Sequence, residues 1–139
     1  MQEPNLHKKV RDMMTTRVVA VTRNYRARNL AVLMQSGDFS GVPVIESGSK
    51  LVGIVSEFDL MTALLNKKDL SVITAEDIMT VNPITVEETT MAEVVMQTMI
   101  DNKIVRVPVV HNGKLIGVIA RSDILNHMIE PNLLILYGT

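Results

Sequence analysis

The chain contains no cysteine and no tryptophan, and only two tyrosines and two phenylalanines among 139 residues. Without cysteine there is no disulfide framework, no thiolate metal site and no cysteine nucleophile, which fits a reducing, cytoplasmic interior. So few aromatic rings leave little on which bases could stack. With a net charge of -1, this argues against nucleic acid as a partner. No apolar run approaches the ~20 residues that span a bilayer. The opening "MQEPNLHKKVRDMM" lacks the apolar core of a secretory signal, so no membrane is expected. A phosphate loop of the G-x-x-x-x-G-K type is missing. His7, His111 and His127 lie in different elements, without the close pairing of a zinc site. No nucleophile, base and acid are spaced as a catalytic set, so neither a metal nor an enzyme is expected.

What is present is a repeat. "RDMMT" (11–15) returns as "EDIMT" (76–80), and "GVPVI" (41–45) as "RVPVV" (106–110), both at an offset of 65. "LVGIVSEFDL" (51–60) returns as "LIGVIARSDI" (115–124) at an offset of 64, so one residue has been gained or lost in the Gly-containing loop between. Each unit reads as β-α-β-β-α with a short leading helix. Strands are predicted at 17–22, 42–46 and 50–55 in the first unit and at 83–86, 107–111 and 114–119 in the second. Helices are predicted at about 26–36 and 57–66, then 89–101 and 121–129, and "SGS" and "NG" are hairpin signals. The boundaries are 1–68 for the first repeat with its leading helix and 69–139 for the second with a C-terminal tail, together one module.

At 47% hydrophobic residues a packed core is easily built and disorder is not expected, yet one unit alone would bury too little. "LVGIV" and "LIGVI" are apolar at nearly every position, as in strands covered on both faces. The expected fold is therefore α+β, two β-α-β-β-α repeats packed sheet to sheet about a pseudo-twofold axis. Met91, Val95 and Met99 form a helical stripe that Met96 and Ile100 widen. This is core, with part of the arc able to meet a second subunit.

Several polar residues have two readings. Ser56 and Asp59 have the spacing of a capping box, which alone would explain them. A helix N-terminus beside a hydroxyl also suits a phosphate, and the Asp59 carboxylate can accept from both hydroxyls of a ribose. In the second unit Ala120 and Asp123 take these places. Ser122 is an alternative cap, and Arg121 either reaches a phosphate or sits in solvent. Gly53 and Gly117, inside apolar strands, mark a bulge or a close approach, by the other repeat or by a ligand. Pro43 and Pro108 suit the start of an edge strand. Arg17, Arg23, Arg26 and Arg28 form either a solvated face or a local anion site.

Taken together, "DMMT…VPVIESGSKLVGIVSEFDLM" and "DIMTVNPITV…VPVVHNGKLIGVIARSDIL" resemble tandem CBS domains, the cystathionine β-synthase-type repeat, from about Val10 to Ile129. The first unit departs from that pattern at 17–20, where a proline is usual. The resemblance implies a regulatory module that binds an adenosine-containing ligand between the repeats: AMP, ADP or ATP, with S-adenosylmethionine or an NAD-type ligand not separable. It implies that Asp59 holds the ribose and that adenine lies against Val42 and Pro43, with Val18, Val19 and Ala20 opposite. It also implies that Arg106 reaches across the axis to the phosphates. Ser56, Asp59 and Arg106 are thus expected to converge in one pocket. The second site, with Arg121 and Asp123, is expected to be altered or empty. A homodimer is expected, as is a regulated protein on a separate chain, since no enzyme is fused here. The alternative is a ligand-free dimerisation scaffold.

Overall fold

A computed structural model describes residues 6–37 and 41–129, and the tail expected after the second repeat lies outside the described residues. The elements run α1 (Val10–Met13), β1 (Val21–Thr22), α2 (Ala27–Ser36), β2 (Gly41–Glu46), β3 (Lys50–Ser56) and α3 (Glu57–Leu65). The second half repeats them, with β4 added, as α4 (Ala75–Ile78), β4 (Thr80–Val81), β5 (Val86–Glu87), α5 (Ala92–Asn102), β6 (Arg106–His111), β7 (Lys114–Ala120) and α6 (Arg121–Met128). The strand order, β1-β2-β3-β7-β6-β5, reads the same from either end under exchange of the repeats. In each half a short strand pairs in parallel with the first strand of a hairpin, Val21 opposite Val44 and Val86 opposite Val109.

Local chemistry accounts for the hairpins. Asn112 and Gly113, with φ of 51° and 78°, form the two-residue link between β6 and β7. Backbones of that hand match the twist of the flanking strands. The first hairpin spends three residues, Ser47–Ser49, on the same reversal. This is the inserted residue that changes the repeat offset. Each hairpin also slips register at one place, between Val44 and Ile45 and between Val109 and Val110. The bulge is therefore duplicated with everything else.

Each half has its own apolar core. One gathers Leu30, Val42, Val44, Val55 and Leu60, and the other Val95, Met99, Val107, Val109, Ile119 and Ile124. The leading helices are exchanged between them. Val10 and Met13 of α1 pack in the second-half core, and Ala75 of α4 packs in the first. Backbone bonds tie the exchange down: Ala92 N–H donates to Lys8 C=O at 2.7 Å, and Ala75 N–H to Tyr25 C=O at 2.8 Å. A four-residue helix is too short to persist alone, so packing holds it.

The exchange explains both strand glycines. The chain leaving α1 crosses β7, where Thr15 and Val118 exchange two backbone bonds of 2.9 Å. A Cβ on Gly117 would stand 2.9 Å from the Thr15 carbonyl oxygen. The chain leaving α4 crosses β3 as β4, and a Cβ on Gly53 would stand 2.9 Å from the Thr80 carbonyl oxygen. Close approach by the other repeat is thus the structural reason for glycine here.

Three strand expectations are corrected. The stretch predicted as strand at 17–22 is strand only at Val21–Thr22. Its earlier residues line crevices between the halves and pair with no strand, despite the β-branched Val18 and Val19. The 83–86 strand shifts to Val86–Glu87. β4, which the sequence reading lacks, exists because the crossing segment finds a free edge on β3. The apolar arc on α5 divides: Val95 and Met99 are core, Met96 is half-buried, and Met91 and Ile100 are exposed.

Candidate functional site

Both acids sit at the third position of a helix that begins where a hairpin strand ends. In the first half the box closes in both directions. Asp59 N–H donates to Ser56 Oγ at 3.2 Å, and Ser56 N–H donates to Asp59 Oδ2 at 2.7 Å. Ser56 Oγ also donates to the same Oδ2 at 3.0 Å. In the second half only the return bond survives, Ala120 N–H to Asp123 Oδ2 at 2.8 Å, because Ala120 has no oxygen to offer. Asp123 gains a partner from the other repeat instead: Thr15 Oγ1 donates to its Oδ1 at 3.4 Å. A carboxylate has about four acceptor sites, so both acids keep capacity for further donors.

A cavity of about 220 Å³ opens beside Asp123, on the seam between the halves. The crossing segment supplies Thr15, Arg17, Val18 and Val19, and β2 supplies Gly41 and Pro43. The second half supplies Arg106, Val118, Ala120, Ser122 and Asp123. The walls are therefore aliphatic. Arg17, Arg106 and Asp123 are its charged lining residues, and Thr15 and Ser122 add two hydroxyl side chains. Small-molecule clefts commonly enclose about 300–1,000 Å³, so this one lies just below the usual range.

Of the residues singled out from sequence, Val18, Val19, Pro43, Arg106 and Asp123 come together here. The expected convergence of Ser56, Asp59 and Arg106 is corrected: Arg106 lines the cavity that holds Asp123. The register supplies the reason. Antiparallel pairing sets Arg106 opposite Ala120 and Gly41 opposite Ser56, so the first residue of each hairpin lies beside its own repeat's acid. Val42 is fully buried in the first-half core, because successive strand residues face opposite ways and Pro43 takes the cavity side. Ala20 lines a smaller crevice, of about 170 Å³, with Thr16, Ile45 and Leu115. Arg121 lies on the far side of its helix, at the rim of an apolar groove formed by Met96, Ile100, Ile104 and Leu125.

Sequence reading missed Thr15, Arg17, Gly41, Val118 and Ser122 as lining residues. The repeat pattern alone contained a usable signal for one of them: position 17 is Arg where the repeat has Asn82. The arginine cluster does not act as one patch. Arg23 pairs with Glu46 at 3.4 Å and Glu76 at 3.7 Å, Arg26 donates to Val72 C=O at 2.7 Å, and Arg17 faces the cavity. No described helix is long and apolar enough to cross a membrane.

Residues 10–66 and 75–130 each match the CBS domain. The protein YlbB of Bacillus subtilis is 32% identical over 117 residues, which are 84% of this chain and 79% of YlbB. Among solved structures, the CBS domain pair of protein MJ0100, in complex with 5′-methylthioadenosine and S-adenosyl-L-methionine, is 28% identical with a TM-score of 0.75. That likeness covers 86% of this chain and 98% of the other. CBSX2 in complex with AMP is 29% identical with a TM-score of 0.75, over 92% and 98% of the two chains.

Proposed function

We propose, since the chain belongs to the CBS-domain family as two repeats in tandem, that it is a regulatory module holding an adenosine-containing ligand beside Asp123. One observation carries this reading: the cavity on the seam combines a carboxylate, aliphatic walls and cationic groups, contributed by both repeats. Asp123 accepts from the ribose hydroxyls, and the purine lies between Val18 and Val19 on one side and Pro43 and Val118 on the other. The relatives crystallised with 5′-methylthioadenosine, S-adenosyl-L-methionine and AMP support an adenosine class. Ser56 and Asp59 furnish the pseudo-equivalent position for a second ligand. ATP, ADP and NAD-type ligands belong to the same test panel.

Regulation follows from where the ligand touches. Residues 15–19 join α1, which packs on the second half, to β1 in the first. A ligand bound against them favours whichever arrangement of the halves it binds better, and by no more than that difference in affinity. No reaction is assigned to the site. Phe58, Met61, Leu64 and Leu65 on α3, with Ile100 and Leu125 in the second half, are exposed apolar positions that suit a homodimer contact. A separate regulated protein would read the arrangement of such a dimer.

Thermal melts with an adenosine-ligand panel test the reading. At a hundredfold excess over Kd, one bound ligand adds about 2.7 kcal/mol of stability. Asp123→Ala is expected to remove that gain. No shift with any adenosine compound at millimolar concentration would overturn the proposal and leave a ligand-free scaffold. Sedimentation velocity tests the dimer, which a single monomeric species would exclude.

A further inference from the structure

The two repeats carry opposite charge. Residues 1–68 hold ten Lys or Arg against six Asp or Glu, a net of +4, and residues 69–139 hold four against nine, a net of -5. The reversal extends to single helix positions. Arg28 of α2 corresponds to Glu93 of α5 at the offset of 65, and Glu57 of α3 to Arg121 of α6 at the offset of 64. All four side chains are exposed. The apolar surfaces differ in shape as well. Between α5 and α6 runs a groove of about 300 Å³, walled by Met96, Met99, Ile100, Ile104, Ile124 and Leu125, with Arg121 at its rim. In the first half Gln35 stands where the groove has Ile100, and α3 projects outward instead. Phe58, Met61 and Leu65 recur at i, i+3 and i+7, so they share one helix face, and Phe58 and Leu65 are 76% and 82% exposed.

A second copy can meet these surfaces in two ways, and a closed twofold dimer makes each contact twice. In a parallel dimer, first half faces first half. The projecting face of α3 then meets itself, Glu57 meets a second Glu57, and the groove between α5 and α6 meets another groove. Each interface would bring like net charges together, +4 on +4 and -5 on -5. In an antiparallel dimer, first half faces second half. The projecting face of α3 then meets a groove, Glu57 meets the partner subunit's Arg121, and a positive half meets a negative one. Charge arranged in this way fixes orientation and suppresses the wrong pairing, even where it adds little raw affinity.

We infer that a second copy of this chain docks antiparallel, with Phe58, Met61 and Leu65 of each copy seated in the groove between α5 and α6 of the other. This rests on the homodimer reading and adds its orientation. It also gives the groove an occupant that covers Met96, Ile100 and Leu125 and pairs the charge at its rim.

The chain has no cysteine, so introduced thiols report the orientation without background. Full-length Met61→Cys and Leu125→Cys chains are oxidised separately and, after subunit exchange, as a mixture. A covalent dimer is expected in the mixture and little of it in either variant alone. Glu57→Arg should weaken the dimer about tenfold in sedimentation equilibrium, since two rim pairs are lost in each dimer. Adding Arg121→Glu to the same chain should restore it. On the unaltered chain, raising the salt should loosen the dimer, a reading that holds even where a variant folds poorly. A covalent dimer from Met61→Cys alone, or a dimer that salt does not loosen, would overturn the orientation and leave the homodimer standing. So would a dimer in which neither the mixture nor a single variant cross-links, because the contact would then lie elsewhere. A monomer at every concentration would remove both and leave the groove to another occupant.

Discussion

The helix that carries Asp59 and the helix that carries Asp123 begin from one motif and end in differently furnished surroundings. Around Asp59 the cap is complete, with Ser56 giving and receiving bonds, and the corresponding cation positions are Asn82 and Gly41. Around Asp123 the capping hydroxyl is gone, Thr15 reaches over from the other repeat, and Arg17 and Arg106 face the cavity. Duplication preserved what the fold needs in each half and let the charges diverge. A residue repeated at the offset is thus best read as scaffold, and one unique to a half as a candidate for chemistry.

The largest effect tests the exchange of leading helices. Met13→Ala removes a side chain buried in the second-half core, which commonly costs about 2–5 kcal/mol. Amide exchange should quicken more in β6 and β7 than in β2 and β3, although Met13 precedes all the first-half strands. The opposite pattern would show that α1 serves its own repeat.

Next in size is the pair Gly53→Ala and Gly117→Ala. Each puts a Cβ against a backbone carbonyl of the crossing segment, for which overpacking costs about 1–3 kcal/mol. In urea denaturation Gly53→Ala should cost at least as much as Gly117→Ala, since its Cβ would also crowd Met79, at 2.5 Å from Sδ against 3.0 Å for Met14 beside Gly117. A neutral result at either would mean that its crossing is loose.

Loss of ligand stabilisation separates the two acids. Bonds to a charged group contribute about 1.5–3 kcal/mol each, so Asp123→Ala should weaken an adenosine ligand by at least tenfold in titration. Should Asp59→Ala be the more damaging of the two, the assignment of the principal site to Asp123 is mistaken.

The smallest expected effects are reciprocal. Ser56→Ala should cost about 1 kcal/mol by removing the acceptor for the Asp59 amide, whereas Ala120→Ser should raise stability by supplying the missing one. Chemical denaturation of the ligand-free protein measures both. Equal and opposite shifts would show that the halves still obey the same local rules.

Much of the fold is legible in the sequence. The turn chemistry of Asn112–Gly113, the Ser56–Asp59 box and the α2 and α6 helices depend on residues within a few positions of one another, and the sequence declares such interactions directly. The 65-residue offset added the duplicated α+β plan, because two copies of a pattern confirm each other. The strand at 17–22 failed for the same reason that local reading works elsewhere: Val18 and Val19 are β-branched, but residues 17–20 pair with no neighbouring strand. That Arg106 lines the cavity of Asp123 and not a pocket with Ser56 and Asp59 follows from register, which is a property of the hairpin as a whole.

The repeat pattern was enough to establish two units and most of their elements, since turns, caps and helices rest on residues close together, and the quoted motifs carried the family resemblance. Folding in three dimensions settled which core each leading helix completes, why two strands tolerate only glycine, and which acid shares a cavity with both arginines. Those outcomes come from contacts between segments up to 108 residues apart, as between Thr15 and Asp123. Such contacts form only when the two halves close on each other, and no local rule encodes where they meet.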